Sequence, residues 1–257
     1  MSANAAWTAE SDQFEAYFGR SVATAGDVNG DGYSDVIIGA NFYDNGQADE
    51  GRAFLYLGSA SGLSATASWT AEGDQVSASF GISVATAGDV NGDGYSDLIV
   101  GAYQFDNGEA DEGRAFLYYG NSGPGIPLRP NQLRADGSAP ISSLGVTENK
   151  IFRISSLGRT PFGRSQVELE WQVVPLGGSL DPSINPIHNG GIWGWEDSGT
   201  TGTVLEQSLT LPSLGPYIWR LRTKYDTSKS PFQGHGTWLT LAANGSRETD
   251  LRSVPYA

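Results

Sequence analysis

The chain of 257 residues has no cysteine, one methionine and two histidines. Without cysteine there is no disulfide scaffold, no thiolate zinc site and no cysteine nucleophile. Secretion without disulfides stays open. No apolar run reaches the ~20 residues of a membrane span. The start, Met1-Ser2-Ala3-Asn4-Ala5-Ala6-Trp7, lacks the basic and apolar regions of a signal peptide. Either a signal has been removed or the chain is a piece of something longer. Basic residues are scarce where they would matter most. Residues 1–120 hold 18 Asp/Glu against three Arg, a net of −15, and residues 121–257 hold 11 against 12 Lys/Arg, a net of +1. The total of −14 argues against nucleic-acid binding, which needs clustered Lys and Arg. His188 and His235 lie in no triad context, and no nucleophile elbow, P-loop or dinucleotide fingerprint occurs. The expectation is a protein that is not an enzyme.

What is present is glycine, 35 residues of it, with 39% apolar and 11% aromatic residues, enough for packed cores. Two segments of different physics meet at the Gly/Pro run Gly120 to Pro127, which cannot continue a helix or a central strand. The expected organisation is residues 1–120, a linker at 121–127, and residues 128–257.

The first segment is a tandem duplication. Trp7-Thr8-Ala9-Glu10 recurs at Trp69, Phe18-Gly19 at Phe80, Ser21 to Asp35 at Ser83 to Asp97, and Gly51 to Tyr56 at Gly113 to Tyr118, every pair 62 residues apart. A fixed period of this size marks an array of supersecondary units. Within one repeat, Ser21 to Ala25, Val36-Ile37-Ile38, Ala53 to Leu57 and Ser68-Trp69-Thr70 read as four short strands joined by turns. That is the plan of a β-propeller blade, with repeats near 7–68 and 69–120.

Each repeat places oxygen side chains at alternate positions of a glycine-turned loop: Asp27, Asn29, Asp31, the Tyr33 carbonyl and Asp35, then Asp89, Asn91, Asp93, the Tyr95 carbonyl and Asp97. Side chains at positions 1, 3 and 5, a carbonyl at 7 and a carboxylate at 9 follow the logic of a calcium loop. Hard oxygen donors without His or Cys favour Ca2+ over zinc or copper, so two Ca2+ sites are expected. Ile38 and Val100 stand where an EF-hand would carry Glu. A second acidic stretch, Asp44 to Glu50 and Asp106 to Glu112, could hold more calcium but reads first as a solvated hairpin connection.

Phe18-Gly19, the loop Asp27 to Asp35 and Gly39-Ala40 together resemble the FG-GAP repeat over residues 5–120, with Asn41 and Tyr103 replacing that motif's proline. The resemblance implies an integrin-α-like propeller blade, a calcium loop between its first two strands, and an extracellular or cell-surface place in a bacterial protein. Two repeats cannot close a propeller, which takes about four or more blades. The second repeat lacks a fourth strand, while an orphan strand at 5–11 precedes the first. Residues 1–12 are therefore expected to complete a blade of another protomer, with Trp7, Thr8 and Ala9 at the interface. That would make a head-to-tail homo-oligomer or filament, a calcium-stabilised structural subunit. The alternative is an adhesion module for a protein or glycan ligand, cut from a larger propeller.

Residues 128–257 read as a β-sandwich. Lys150 to Ile154, Gln166 to Val173, Leu205 to Leu211, Tyr217 to Arg222 and Thr237 to Leu241 are its candidate strands. Val167, Leu169, Trp171 and Val173 share one face; Trp219 and Leu221 point inward and Arg220 and Arg222 toward solvent. Leu209 to Pro212 with Tyr217-x-Trp219-Arg220-x-Arg222 resembles the late strands of fibronectin type III domains. The segment is also similar to domains that follow FG-GAP repeats in bacterial secreted proteins. Gly191 to Trp195 reads as a core strand, and Asn244-Gly245-Ser246 matches a glycosylation acceptor.

Overall fold

The computed structural model describes residues 3–120, 128, 130–148, 150–192, 194–228, 233–241 and 249–255. The linker 121–127, Trp193 and the glycosylation triplet at Asn244 lie outside the described residues. Every regular element among the described residues is a β-strand. The chain forms two compact units, residues 1–126 with 161–163, and residues 127–160 with 164–257.

The first unit is two stacked sheets. Strands β1 (Ser21–Gly26), β2 (Asp35–Ala40), β3 (Arg52–Tyr56) and β4 (Trp69–Glu72) form a four-stranded antiparallel sheet in sequence order. Strands β5 (Phe80–Gly88), β6 (Asp97–Ala102) and β7 (Arg114–Tyr118) form a second, with no fourth strand beside them among the described residues. The second sheet thus has three strands where the first has four. In both, the register slips one residue before the acidic loop, between Thr24 and Gly26 and between Thr86 and Gly88.

Successive strand residues face opposite sides, so a continuous β-branched run needs cover on both. Ile37 and Ile38 are both buried, for that reason. Ala25, Ile37, Ala53 and Leu55 pack against Phe80, Val84, Leu98 and Val100 of the second sheet. Ile38, Ala40, Phe54 and Tyr56 form the opposite face, covered by Trp7, Ala9, Ala16 and Phe18. The backbones close to contact at this seam: a Cβ on Gly39 would lie 1.9 Å from the Gly81 carbonyl oxygen.

Two expectations need correcting here. Residues 5–11 do not form a strand; they run alongside the first sheet without a ladder, because that sheet's outer position is taken by β4. The stretch Asp44 to Glu50 is not merely solvated. Its carbonyls at Ala48, Asp49 and Glu50 accept hydrogen bonds from the amides of Ser77, Ser79 and Phe80, and Glu50 is fully buried. It clasps the second sheet to the first. Its counterpart at Glu112 is exposed.

The second unit has one sheet of β14 (Thr203–Thr210), β10 (Ile151–Gly158) and β8 (Asn131–Arg134). Another contains β12 (His188–Gly190), β11 (Gln166–Pro175), β15 (Gly215–Tyr225), β16 (Leu251–Val254) and β9 (Gly145–Glu148), with β13 (Glu196–Asp197) beside β11. Phe152, Ile154, Leu205 and Leu209 of the first sheet share one core with Val167, Leu169, Trp171, Trp219 and Leu221 of the second. Trp219 and Leu221 are inside, as alternation predicts. Thr237 to Leu241 is not a strand; single bridges tie Leu239 to Leu221 and His235 to Lys224. Arg220 and Arg222 are not simply solvated. Trp238 lies 4.2 and 4.3 Å from their guanidinium carbons, and Glu170 pairs with Arg222 at 2.8 Å. Paired charge and an overlying indole let this outer face be half-buried.

Candidate functional site

Two acidic loops follow β1 and β5, and the chain builds them alike. Gly30 and Gly32, like Gly92 and Gly94, have φ between +73° and +88°. That left-handed backbone folds each loop back on itself. The amide of Asp31 donates to both Asp27 Oδ1 (3.0 Å) and Asn29 Oδ1 (3.1 Å), which brings two predicted ligand oxygens to one point. Gly32 donates to Asp27 Oδ2 (2.9 Å), Tyr33 to Asp31 Oδ1 (2.9 Å), and Asn29 Nδ2 to Asp31 Oδ2 (2.9 Å). The second copy repeats this around the Asp93 amide, with Asp89 Oδ1 at 2.9 Å and Asn91 Oδ1 at 3.0 Å. Tyr33 and Tyr95 are half-buried at the loop's end, their amides holding Asp31 and Asp93 in place.

The ninth-position carboxylates play a different part from the first three. Asp35 is fully buried; its oxygens accept from the amides of Val28 and Gly58, both at 2.8 Å. Asp97 accepts from Val90 at 2.7 Å and Gly120 at 3.0 Å. Each ties its loop to the end of its own sheet. Burial pushes the Asp35 carboxyl up to about 6, and the charges of Asp27 and Asp31 add to this. Burial likewise raises Asp89 and Asp97. Carboxylates held together in a partly dry loop are electrostatically unfavourable until a cation neutralises them.

The donor set fits a hard divalent cation in its chemistry: oxygen only, and charged. Asp27, Asn29, Asp31 and Asp35 would hold it in one loop, with Asp89, Asn91, Asp93 and Asp97 in the other. Among the described residues, no group of three or more His, Cys, Asp or Glu side chains is placed to hold a metal ion.

The interface residues expected at the N-terminus are placed as follows. The Trp7 ring meets Tyr56 edge-on at 4.9 Å, and its Nε1 donates to the Ser64 carbonyl at 3.0 Å. Ala9 joins the same cluster, and Thr8 is exposed. Sequence reasoning missed a cleft of about 360 Å³ at the seam of the first unit, lined by Tyr17, Arg20, Asn41, Phe42, Ile82 and Tyr103. The buried Asn41 Oδ1 has no hydrogen-bond partner there. The replacement of the motif's proline by Asn41 and Tyr103 was the available signal. Of the two histidines, His188 stacks on Trp171 and His235 lies 3.4 Å from Glu170.

Residues 18–56 and 80–118 match the FG-GAP repeat. The chain is 40% identical to integrin alpha-PS2 of Drosophila melanogaster over 131 residues, 47% of this chain and 9% of the relative. It is 37% identical to mouse (Mus musculus) integrin alpha-IIb over 139 residues, 51% of this chain and 13% of the relative. It is 36% identical to human (Homo sapiens) integrin alpha-7 over 129 residues, 50% of this chain and 10% of the relative. The chain therefore spans roughly a tenth of the length of these curated relatives. Two segments of its first unit thus match the FG-GAP repeat, and the unit is similar in sequence to integrin alpha chains.

Proposed function

We propose that this chain is a calcium-braced, integrin-like adhesion module that works outside the cell and binds a protein ligand. The observation that carries this reading is the pair of loops in which one backbone amide gathers the oxygens of Asp27 and Asn29, and again of Asp89 and Asn91. Calcium modules of the extracellular kind bind at roughly 10⁻⁴–10⁻³ M, which suits the calcium-rich exterior. The Tyr17–Tyr103 cleft supplies aromatics and one arginine, residue types that anchor protein partners. Catalysis forms no part of this reading. The second unit would be a fibronectin type III-like spacer. The Tyr217 hydroxyl donates to the Ser213 carbonyl at 3.0 Å, the tyrosine corner that such sandwiches use. A bacterial surface protein fits the resemblance of both segments.

Calorimetric titration with CaCl2 tests the metal: two sites are expected, and one in Asp31→Ala or Asp93→Ala. A titration without heat overturns it. Retention of solubilised extracellular proteins by the immobilised chain, with and without EGTA, tests the module. Calcium-dependent retention supports it, and no retention overturns it.

A second reading is favoured by the open outer edge of β7. In it the chain is a structural subunit that adds to copies of itself head-to-tail.

A further inference from the structure

Identical sequence meets two environments in the first unit. Arg-Ala-Phe-Leu-Tyr forms both β3 and β7. Leu55 is 6% exposed and its counterpart Leu117 is 46%; Ile37 is 0% and Ile99 is 38%. The second sheet covers this face of the first, and no described residue covers the same face of the second. On the other side the asymmetry reverses: Val84 is 9% exposed and Val22 is 60%. The unit therefore displays, at its two ends, both halves of its own internal seam.

The backbone repeats the pattern. The outer edge of β3 is taken by β4, in the register Arg52 to Glu72, Ala53 to Ala71, Phe54 to Thr70 and Leu55 to Trp69. The outer edge of β7 has no neighbour among the described residues. Residues 7–10 repeat the Trp-Thr-Ala-Glu of β4 with alternating exposure, and their amides and carbonyls form no backbone–backbone hydrogen bond among the described residues. The Trp7 ring already sits on Tyr56 as the Trp69 ring sits on Tyr118, both at 4.9 Å. In β4 the backbone serves the first sheet and the ring serves the second. At residues 7–10 only the ring is served. Trp7 lies on the face of the first sheet turned away from the second, so it cannot reach β7 of its own chain.

We propose that residues Trp7–Glu10 of a second copy of this chain add antiparallel to β7. Glu10 then stands opposite Arg114, Ala9 opposite Ala115, Thr8 opposite Phe116 and Trp7 opposite Leu117. The bare Ile99 and Leu117 face is covered by Val22 and Phe18 of that copy. This names the partner in the second reading above and rests on it. Gly101 would meet Gly19 of the second copy as Gly39 meets Gly81. A Cβ on Gly101 meets Ser83 first, its hydroxyl at 2.4 Å and no backbone atom of the described residues nearer than 3.9 Å. The contact is heterologous, so it grows into a ring or a filament.

The absence of native cysteine makes disulfide trapping clean. Opposed residues of antiparallel strands have Cα atoms about 4.5–5.5 Å apart, within the range a disulfide accepts. Ala9→Cys and Ala115→Cys are made separately, mixed in calcium and mildly oxidised, beside light scattering of the unaltered chain. The expected result is concentration-dependent oligomers, with the mixed disulfide at least tenfold above either variant alone or Ala9→Cys mixed with Ala110→Cys. Gly101→Ala should abolish the oligomers while leaving the thermal midpoint of the dilute chain within a few degrees. Oligomers that form without the mixed disulfide, or that survive Gly101→Ala, overturn this partner and register but leave assembly standing. A chain that stays monomeric across the concentration range overturns both.

Discussion

At the residue scale, the repeat supplies internal controls. Gly39 and Gly101 are equivalent letters with different neighbours. A Cβ at Gly39 would strike the Gly81 backbone; one at Gly101 would strike a side-chain hydroxyl that can rotate. Gly39→Ala should destabilise by ~3 kcal/mol and Gly101→Ala by ~1 kcal/mol, since overpacking against backbone leaves nothing to yield. Equal losses in urea unfolding would show that the seam does not persist in solution. The acidic loops were legible at this scale because metal ligation demands particular side chains at particular spacings. The division of labour within them was not: that Asp35 and Asp97 tie down the sheet ends depends on Gly58 and Gly120, each 23 residues away.

At the element scale, alternation and β-branched runs located β1 to β4 and the second copies of the first three, because a period of two is all a strand needs. It failed for residues 5–11 and 237–241. Both carry strand letters, but a strand exists only beside a ladder partner, and one segment has none while the other makes isolated bridges. The outer face of β11 was not legible either. Glu168, Glu170 and Gln172 look like solvent-facing residues, yet all three are buried through pairing with Lys224, Arg222 and Arg220. Nothing in β11 itself announces partners about fifty residues ahead. β4 joins two sheets at once, so Trp69→Ala should cost about 3 kcal/mol, close to a core aromatic truncation. Trp7→Ala, which removes only a ring contact and the Ser64 hydrogen bond, should cost about half as much. Thermal unfolding of the two variants checks the order; a reversed order would mean β4 is not the brace.

At the scale of the whole molecule, the two units have different charge regimes and so should respond differently to metal. Two bound Ca2+ ions would change the net charge of residues 1–120 from −15 to −11, and the second unit, near neutral, would not be affected. At calcium about a hundredfold above the dissociation constant, each site adds ~2.7 kcal/mol to the folded form. Excess EGTA should therefore lower the unfolding midpoint of the first unit by roughly 10 °C or more and leave that of the second in place. A single transition indifferent to EGTA would count against the calcium loops. The period of 62 residues revealed the repeats, but it could not reveal their end effects. Repeated letters look the same whether a neighbour covers them or not.

The duplicated seam has a kinetic side. Each sheet is made of short local hairpins that can form alone, so the docking of one sheet on the other comes late and across unspecific identity. A nascent second sheet meets its own first sheet at the effective concentration its tether sets, in the millimolar range for a short connection. It meets the first sheet of a neighbouring molecule at the bulk concentration, through the same surface. Refolding should therefore be clean when dilute and should divert into swapped, interlocked species as the protein concentration rises toward that range. A refolding yield independent of concentration would mean that the seam forms before the sheets can wander.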